Sequence, residues 1–203
     1  MDGRTGGHDA MAPPRTQAER RETTRTAVLE SAIRLFGRKG FAETSLDEIA
    51  ADAGVTIRPI YHYFENKLGL FEAAKDVMEE RVIETYRRDE HGNLDAIALW
   101  RAFLALCEDP AFRRILLVDG PNVIGRDRWS ENAIARSVES LLTTSSIGGQ
   151  PISGLAARML IGALIEAALA IADSPDPVAT SGEAERLVAS IASAIGSHSN
   201  RTD

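Results

Sequence analysis

One run of residues sets the fold of this 203-residue chain: Thr44-Ser45-Leu46-Asp47-Glu48-Ile49-Ala50-Ala51-Asp52-Ala53-Gly54-Val55-Thr56. Ser45 and Glu48 have the spacing of a capping box, in which the Ser45 hydroxyl accepts from the Glu48 amide and the carboxylate returns to the Ser45 amide. The box predicts a short helix with an apolar inward face formed by Leu46, Ile49, Ala50 and Ala53. Gly54 then permits a tight turn with positive φ.

The residues after this turn predict a second short helix. Thr56 can cap it, and Pro59 falls in its first turn, where a missing amide costs little. Two short helices joined by a turn that contains glycine form a helix-turn-helix plan, whose second helix enters the major groove of DNA.

Helical periodicity continues on both sides of this pair. A preceding helix is predicted to end at Gly40, and Asn66 is expected to cap a following helix that runs to about Arg88. The spacing of the apolar residues predicts one small core that fixes the angles between these helices: Val28, Leu35, Phe36, Ile49, Ala53, Val55, Ile60 and Phe64.

The remaining chain also has helical period and little strand character. We therefore predict an all-α fold of about nine helices. The predicted divisions are a disordered tail at 1–20, a helix-turn-helix domain at 21–68 and a second helical domain at 69–203. Helices are expected from Asn93 through Cys107, at 110–118, 126–144, 153–173 and 182–196, with a turn at Asp119-Gly120-Pro121-Asn122.

The net charge of −7 first suggests a protein that avoids nucleic acid. Residues 15–70 hold nine Lys and Arg against eight Asp and Glu, a net charge of +1, and residues 1–14 contribute −1. Residues 71–203 hold 13 against 20, a net charge of −7. The acidic total therefore belongs to the C-terminal part and does not argue against DNA binding by the helix-turn-helix.

Several function classes lack support in the sequence. Cys107 is the only cysteine, and the four histidines are scattered, so we predict no metal site, no cofactor and no catalytic residues. The first 25 residues hold no apolar run of the secretory type. Leu155 to Ala172 is the most apolar stretch, but it is interrupted by Arg158 and Glu166 and is too weakly hydrophobic for a membrane span. We expect a cytoplasmic protein that is not an enzyme.

Residues 25–72 resemble the tetracycline-repressor (TetR) family of transcription regulators without a gap. The motifs that carry the resemblance are Ala32-x-x-Leu35-Phe36-x-x-x-Gly40-Phe41, then Thr44-Ser45-Leu46-Asp47-Glu48-Ile49-Ala50-x-x-Ala53-Gly54-Val55-Thr56, then Ile60-Tyr61-His62-Tyr63-Phe64-x-Asn66-Lys67. The resemblance implies a DNA-binding transcription regulator. Its expected partner is a double-stranded, palindromic DNA operator.

The DNA-binding residues are expected at the two helix starts and along the second helix: Thr44, Ser45, Thr56, Ile57, Arg58, Pro59, Tyr61, His62, Tyr63 and Lys67. Hydroxyls and amides at a helix N-terminus form an anion site for a phosphate. Each residue also has a structural alternative, such as capping for Ser45 or core cover for Tyr61 and Tyr63. Ile57-Arg58-Pro59 departs from the family pattern; Arg58 can pair with guanine, and Ile57 can touch a thymine methyl.

The last two predicted helices are rich in small residues, which allow helices to approach closely. In the family these helices form a dimer interface, and this implies a homodimer here. The expected interface residues are Leu155, Met159, Gly162, Ala163, Ala167, Leu187, Ile191 and Ala194. The alternative is an intramolecular core.

A pocket for a small apolar or aromatic effector is expected among the middle helices. Its predicted lining is Met78, Trp100, Phe103, Cys107, Phe112, Trp129 and Met159, for which ordinary core packing is the alternative. Cys107 is interpreted as an inert apolar side chain, with redox sensing as the alternative. For Glu166 we favour a structural pairing, with Arg158 or across a dimer; exposure to solvent and contact with a polar group of a ligand are the alternatives. The family implies a repressor that effector binding releases from DNA; a ligand-independent regulator or an activator of the same fold is the alternative.

Overall fold

A computed structural model describes residues 16–87, 96–125 and 154–198. Every regular element within these ranges is a helix, which confirms the predicted all-α class. The helix predicted at 126–144 and Trp129 lie outside the described residues.

The first three helices are α1 (Gln17–Glu43), α2 (Leu46–Asp52) and α3 (Arg58–Phe64). Helix α1 begins inside the segment predicted as a tail, because Thr16 and Glu19 form a capping box: the Glu19 amide donates to Thr16 Oγ1 at 3.2 Å, and Glu19 Oε2 accepts from the Thr16 amide at 2.7 Å. This box was not predicted from the sequence. Gly40 leaves the helical conformation (φ 82°, ψ 170°), as its predicted stop requires, but one further turn follows it.

The predicted small core forms. Val28, Phe36, Ile49 and Ile60 are fully buried, with Leu35 and Phe64 nearly so. Ala53 and Val55 are half-buried against the same cluster. Complete burial of one such large apolar side chain stabilises the fold by roughly 1.5–3 kcal/mol, so this cluster is enough to fix the angles between three short helices.

Helix α4 (Lys67–Arg87) carries the core across the predicted boundary at residue 68. Asn66 caps it as predicted, with Oδ1 accepting from the Gly69 amide at 3.0 Å. Its buried face continues the 3–4 residue spacing through Leu70, Phe71, Ala74, Met78 and Val82. The Phe71 ring packs edge-on against those of Phe36 and Phe41, at centroid distances of 5.2 and 5.1 Å. The helix-turn-helix therefore shares one apolar cluster with the rest of the described chain.

Helix α5 (Ala96–Cys107) is followed by a continuous helical segment. That segment comprises α6 (Pro110–Phe112), a π-helix (Arg113–Asp119) and α7 (Gly120–Ile124). Asp109 caps α6 as predicted, because its Oδ1 accepts from the Ala111 amide at 2.8 Å.

The predicted turn at Asp119-Gly120-Pro121-Asn122 is wrong, since these residues are helical and the helical segment ends at Gly125 (φ 90°). In an α-helix the Pro121 ring would clash with the carbonyl four residues earlier. Pro121 lies in the first turn of α7, directly after π-helical turns whose hydrogen bonds do not follow the α-helical i→i−4 pattern. Asn122 Nδ2 donates to the Val118 carbonyl at 2.7 Å, so these turn-forming residue types are used inside a helix.

The last two described helices, α8 (Gly154–Asp173) and α9 (Pro177–His198), pack against each other and against α5. Arg101 of α5 holds α9 through an ion pair of 2.6 Å with Glu185. An 18-residue window of helix α8 has a mean hydropathy of 1.9, so by length and composition the helix is apolar enough to cross a membrane, contrary to the sequence interpretation. Such a helix is weak evidence for a membrane span, because helices that pack in soluble proteins have the same composition.

Candidate nucleic-acid interface

The exposed face of α3 carries polar groups suited to a DNA groove. Arg58 and His62 are exposed, and Tyr61 is 53% exposed although it is a large aromatic residue. Ile60 and Phe64 on the opposite face are buried in the core. Helix α3 is therefore anchored by one face and presents a guanidinium, an imidazole and a phenol on the other.

The residues around the start of α3 differ from the prediction in one respect. Ile57, rather than Thr56, occupies the N-cap position, and no side chain caps the helix, so the predicted cap by Thr56 is wrong. Thr56 is exposed, whereas Ile57 and Pro59 are half-buried, and Ile57 packs against the core cluster. Tyr63 is also half-buried, with its ring 5.0 Å from that of His62, which agrees with its alternative role of covering the core.

The predicted capping box at the start of α2 is present. The Glu48 amide donates to Ser45 Oγ at 3.2 Å, and Glu48 Oε2 accepts from the Ser45 amide at 3.0 Å. Hydrogen bonds from Lys39 and from the Ser45 amide lower the pKa of Glu48 to about 2. The Ser45 and Glu48 amides are thus occupied, and the first-turn amides that have no helical acceptor are those of Leu46 and Asp47.

Thr44 is buried, and this contradicts the predicted phosphate contact of its side chain. Its hydroxyl is 2.8 Å from the Gly40 carbonyl, to which it donates. Thr44 instead closes the bend between α1 and α2. The hydroxyl finds its partner inside the protein because Gly40 has turned its carbonyl out of the helical ladder.

Lys67 is half-buried beside the same bend. Its Nζ donates to the Ala42 carbonyl at 3.3 Å and lies 4.4 Å from the centroid of the Phe41 ring. An ammonium group has three donors, so a phosphate contact stays compatible with this position.

The residues predicted to line an effector pocket separate into two groups. Met78, Trp100, Phe103, Cys107 and Phe112 are all buried in one cluster, as their alternative role of core packing requires. Met159 is 67% exposed and is not part of that cluster, so its place in a pocket stays a prediction. Burial raises the pKa of the Cys107 thiol to about 12, which agrees with an inert apolar role.

One surface of α8 and α9 is both apolar and exposed. Leu155 and Leu187 are 71% and 56% exposed, and Gly162 has open space around it. Ala194 is exposed, and Ala163, Ala167 and Ile191 are half-buried. Leu160 and Ala168 of α8, and Ala184 and Val188 of α9, are buried. Glu166 is exposed, as its solvent-facing alternative requires.

Two polar clusters were not predicted from the sequence. Lys75 and Glu79 form a buried i,i+4 ion pair on α4 at 2.7 Å. Burial opposes the charged form of Lys75, but hydrogen bonds to Asp76 and Glu79 outweigh it and raise its pKa. The i,i+4 spacing was the available signal, although such pairs are usually on the surface. The second is the contact of Asp119 with the Phe41 amide. The two residues are 78 positions apart in the sequence, and no local pattern predicts the contact.

Within the ranges that the structure describes, no group of three or more His, Cys, Asp or Glu residues is arranged to hold a metal ion.

Two family models match the chain. Residues 28–74 match the model described as bacterial regulatory proteins of the tetR family, and residues 95–195 match the tetracyclin repressor-like C-terminal domain. Together they cover most of the chain.

Relatives and solved structures agree with these models. The chain is 38% identical over 91 residues to the probable HTH-type transcriptional regulator ArpR of Pseudomonas putida, covering 44% of this chain and 43% of that protein. It is 40% identical over 79 residues to the HTH-type transcriptional repressor BepR of Brucella suis, covering 37% of each chain. These matches span less than half of the relatives' length.

A crystal structure of a TetR-family transcriptional regulator from Pectobacterium atrosepticum superimposes with a TM-score of 0.57 and 26% identity. The match covers 89% of this chain and 97% of that one. With a helix-turn-helix in the matched N-terminal region and both family models in order, the chain belongs to the tetR family of bacterial transcription regulators.

Proposed function

We propose that this regulator is a repressor that binds a palindromic operator as a homodimer and responds to a small effector. The exposed face of α3 carries the proposal, because Arg58, Tyr61 and His62 project from a helix whose other face is fixed in the core. A helix held in this way can enter a major groove without losing its orientation. Repression is supported by the name of the relative BepR.

Contacts to bases and to phosphates have different roles in this proposal. Arg58 is the candidate for base reading, since a guanidinium can bind guanine O6 and N7 together. The Leu46 and Asp47 amides, with Lys67, are the candidates for phosphate contacts, which position the protein without reading sequence. Ile57 is half-buried, so only part of its side chain is available to a thymine methyl.

A homodimer is supported by the apolar surface of α8 and α9. Three apolar side chains on these helices are more than half exposed and would therefore remain in water in a monomer: Leu155, Met159 and Leu187. A two-fold partner seated on this surface would cover them, and it would supply the second reading helix that a palindrome needs.

An aromatic effector is supported by the ring cluster of the middle helices. The rings of Trp100 and Phe103 lie 6.2 Å apart, and those of Phe103 and Phe112 lie 6.4 Å apart. Such rings offer stacking partners to a flat apolar molecule if they separate. A ligand-independent regulator of the same fold is the alternative, in which the cluster is only core.

Footprinting tests the operator proposal. Purified protein would be incubated with DNA from around its own gene, and the protected bases would be mapped. We expect two protected half-sites with centres about one helical turn or a multiple of it apart. Protection of a single half-site, or of no sequence above background, would refute the dimeric reading of a palindrome.

The dimer proposal is tested separately by Met159→Glu. A carboxylate in the proposed interface should convert the dimer to a monomer, measured as mass by light scattering after size exclusion. Val178→Glu is the matched control, because Val178 is 84% exposed and lies on the side of α9 opposite Leu187, about two and a half turns along the helix. Equal masses for both variants and the unchanged protein would contradict this interface.

A further inference from the structure

A carboxylate from the C-terminal half joins the helix-turn-helix at the bend between α1 and α2. Asp119 Oδ2 accepts from the Phe41 amide at 2.7 Å and from Arg114 Nε at 3.3 Å. The Asp119 side chain is 15% exposed, so water competes little for the amide. The contact spans 78 residues of sequence.

The Phe41 amide needs this acceptor because Gly40 has left the helix. With ψ at 170°, Gly40 turns the following N–H away from the helical ladder. A half-buried donor without a partner is costly, and a charged acceptor forms the stronger kind of hydrogen bond. Asp119 therefore stabilises the conformation in which the chain leaves α1.

Arg114 packs against the same bend. A Cβ at Gly40 would lie 2.8 Å from Arg114 Nε and 2.9 Å from Cζ, and closer still to Nη2, so the guanidinium rests directly against the Gly40 backbone. Arg114 and Asp119 are hydrogen-bonded to each other, contact residues 40 and 41 respectively, and both belong to the π-helix.

The bend leads directly to the proposed phosphate contacts. Thr44 ties it to the Gly40 carbonyl, and the next residue, Ser45, is the N-cap of α2. A displacement at Phe41 is therefore passed within a few residues to the Leu46 and Asp47 amides. Lys67, bonded to Ala42, would move with them.

The π-helix connects these contacts at the bend to the ring cluster of Trp100, Phe103 and Phe112. Ile115, Leu116 and Leu117 are buried, and the preceding Phe112 packs edge-on against Phe103. π-Helical turns are frequent at functional sites. If this segment changed by one residue to α-helical register, Asp119 would turn by ~100° about the axis and lose the Phe41 amide.

We infer that Asp119 is a positioning residue, through which the C-terminal half holds the α1–α2 bend in the arrangement that binds operator DNA. The inference rests on the proposed operator binding. It assigns a role to a residue whose sequence neighbourhood suggested only a turn.

Asp119→Ala tests the inference, with the duplex defined by footprinting as the probe. We expect operator binding about tenfold weaker, the effect of removing about one charge-assisted hydrogen bond. The slope of log K against log salt should fall by about 1 for each phosphate that the variant no longer neutralises. The Phe41 amide should exchange with deuterium faster than in the unchanged protein.

Asp109→Ala is the matched control. Like Asp119, Asp109 pairs with an arginine, since its carboxylate lies 2.7 Å from Arg81 Nη1, and it accepts from a backbone amide, that of Ala111. Neither bond reaches α1, α2 or α3. The control variant should keep operator affinity within about twofold and leave Phe41 exchange unchanged. Asp119→Asn retains an acceptor oxygen and should restore most of the affinity that Asp119→Ala removes.

Unchanged affinity and salt slope in Asp119→Ala would overturn the inference, as would equal decreases in Asp119→Ala and Asp109→Ala. If Asp119→Ala does not fold, Asp119→Glu keeps the charge beside Arg114 but displaces the acceptor, and unchanged operator binding by that variant would also overturn it. Absence of any operator for the unchanged protein would refute the proposed function instead, and Phe41 exchange would then show only whether the hydrogen bond exists in solution.

Discussion

Gly37→Ala probes a close approach between α1 and α6. A Cβ at Gly37 would lie 2.5 Å from Ala111 Cβ and 2.7 Å from Ala111 Cα. The Cα cannot move aside by rotating a side chain, so one of the two helices must shift. We expect the variant to be less stable, although alanine is the better helix former.

The magnitude follows from two opposing effects. Replacing glycine by alanine inside a helix gains about 1 kcal/mol. Overpacking a well-packed contact costs typically about 1–3 kcal/mol, and contact with a backbone atom favours the upper part of that range. The net loss is about 1–2 kcal/mol, which for a protein of this size lowers Tm by roughly 2–8 °C.

The assay is thermal denaturation followed by circular dichroism at one protein concentration, because the Tm of a dimer depends on concentration. Gly182→Ala is the matched control. Gly182 is exposed in α9, and the nearest atom to its Cβ position is Arg186 Nη1 at 3.7 Å, so this variant should be stabilised. A rise in Tm for Gly37→Ala comparable to that of Gly182→Ala would refute the close packing of α1 on α6.

Three further predictions concern the site and its supports. Arg58→Ala should relax sequence preference at one base pair per half-site by about 1–3 kcal/mol, measured by gel shift against an operator library; uniform weakening on all sequences would show a phosphate role instead. Burial raises the pKa of Cys107 from 9.0 to about 12, so this residue should form roughly 1000-fold less thiolate than an ordinary cysteine. Iodoacetamide should therefore label Cys107 only after unfolding. Rapid labelling of the native protein would contradict its burial. The pKa of Glu48 is lowered from 4.5 to about 2, so its contribution to stability is present above pH 4.5 and is lost as the pH falls toward 2. Lys39→Ala should flatten this acid-side loss in urea titrations, and an unchanged pH dependence would count against the pair.

The capping signals show how far local sequence can be trusted in this chain. Ser45 with Glu48, Asn66 and Asp109 each cap the helix that their spacing predicts, because a cap requires only a side chain and amides two or three residues away. The same rule applied to Thr16 would have placed the start of α1 correctly. Thr56 failed because the first helical hydrogen bonds, from the Ile60 and Tyr61 amides, are accepted by the Ile57 carbonyl, so α3 begins one residue later than a Thr56 cap requires.

The candidate site was predictable in part for the same reason. Exposure of Arg58, Tyr61 and His62 follows from the period of α3 once Ile60 and Phe64 are assigned to the core. The burial of Thr44 was not predictable, because it depends on the direction of the Gly40 carbonyl. The exposure of Met159 likewise depends on which face of α8 meets α9 and α5.

The helical class, the helix-turn-helix and the family could all be predicted from the sequence, because capping, periodicity and turn chemistry act between residues a few positions apart. Two features required the three-dimensional packing: Asp119-Gly120-Pro121-Asn122 continues a helix, and Asp119 binds the Phe41 amide. Those four residues favour a turn locally, and the preference is overcome by the π-helix packed on α1. A hydrogen bond between positions 78 residues apart leaves no periodic trace in a single sequence, because donor and acceptor meet only when α1 packs on that π-helix.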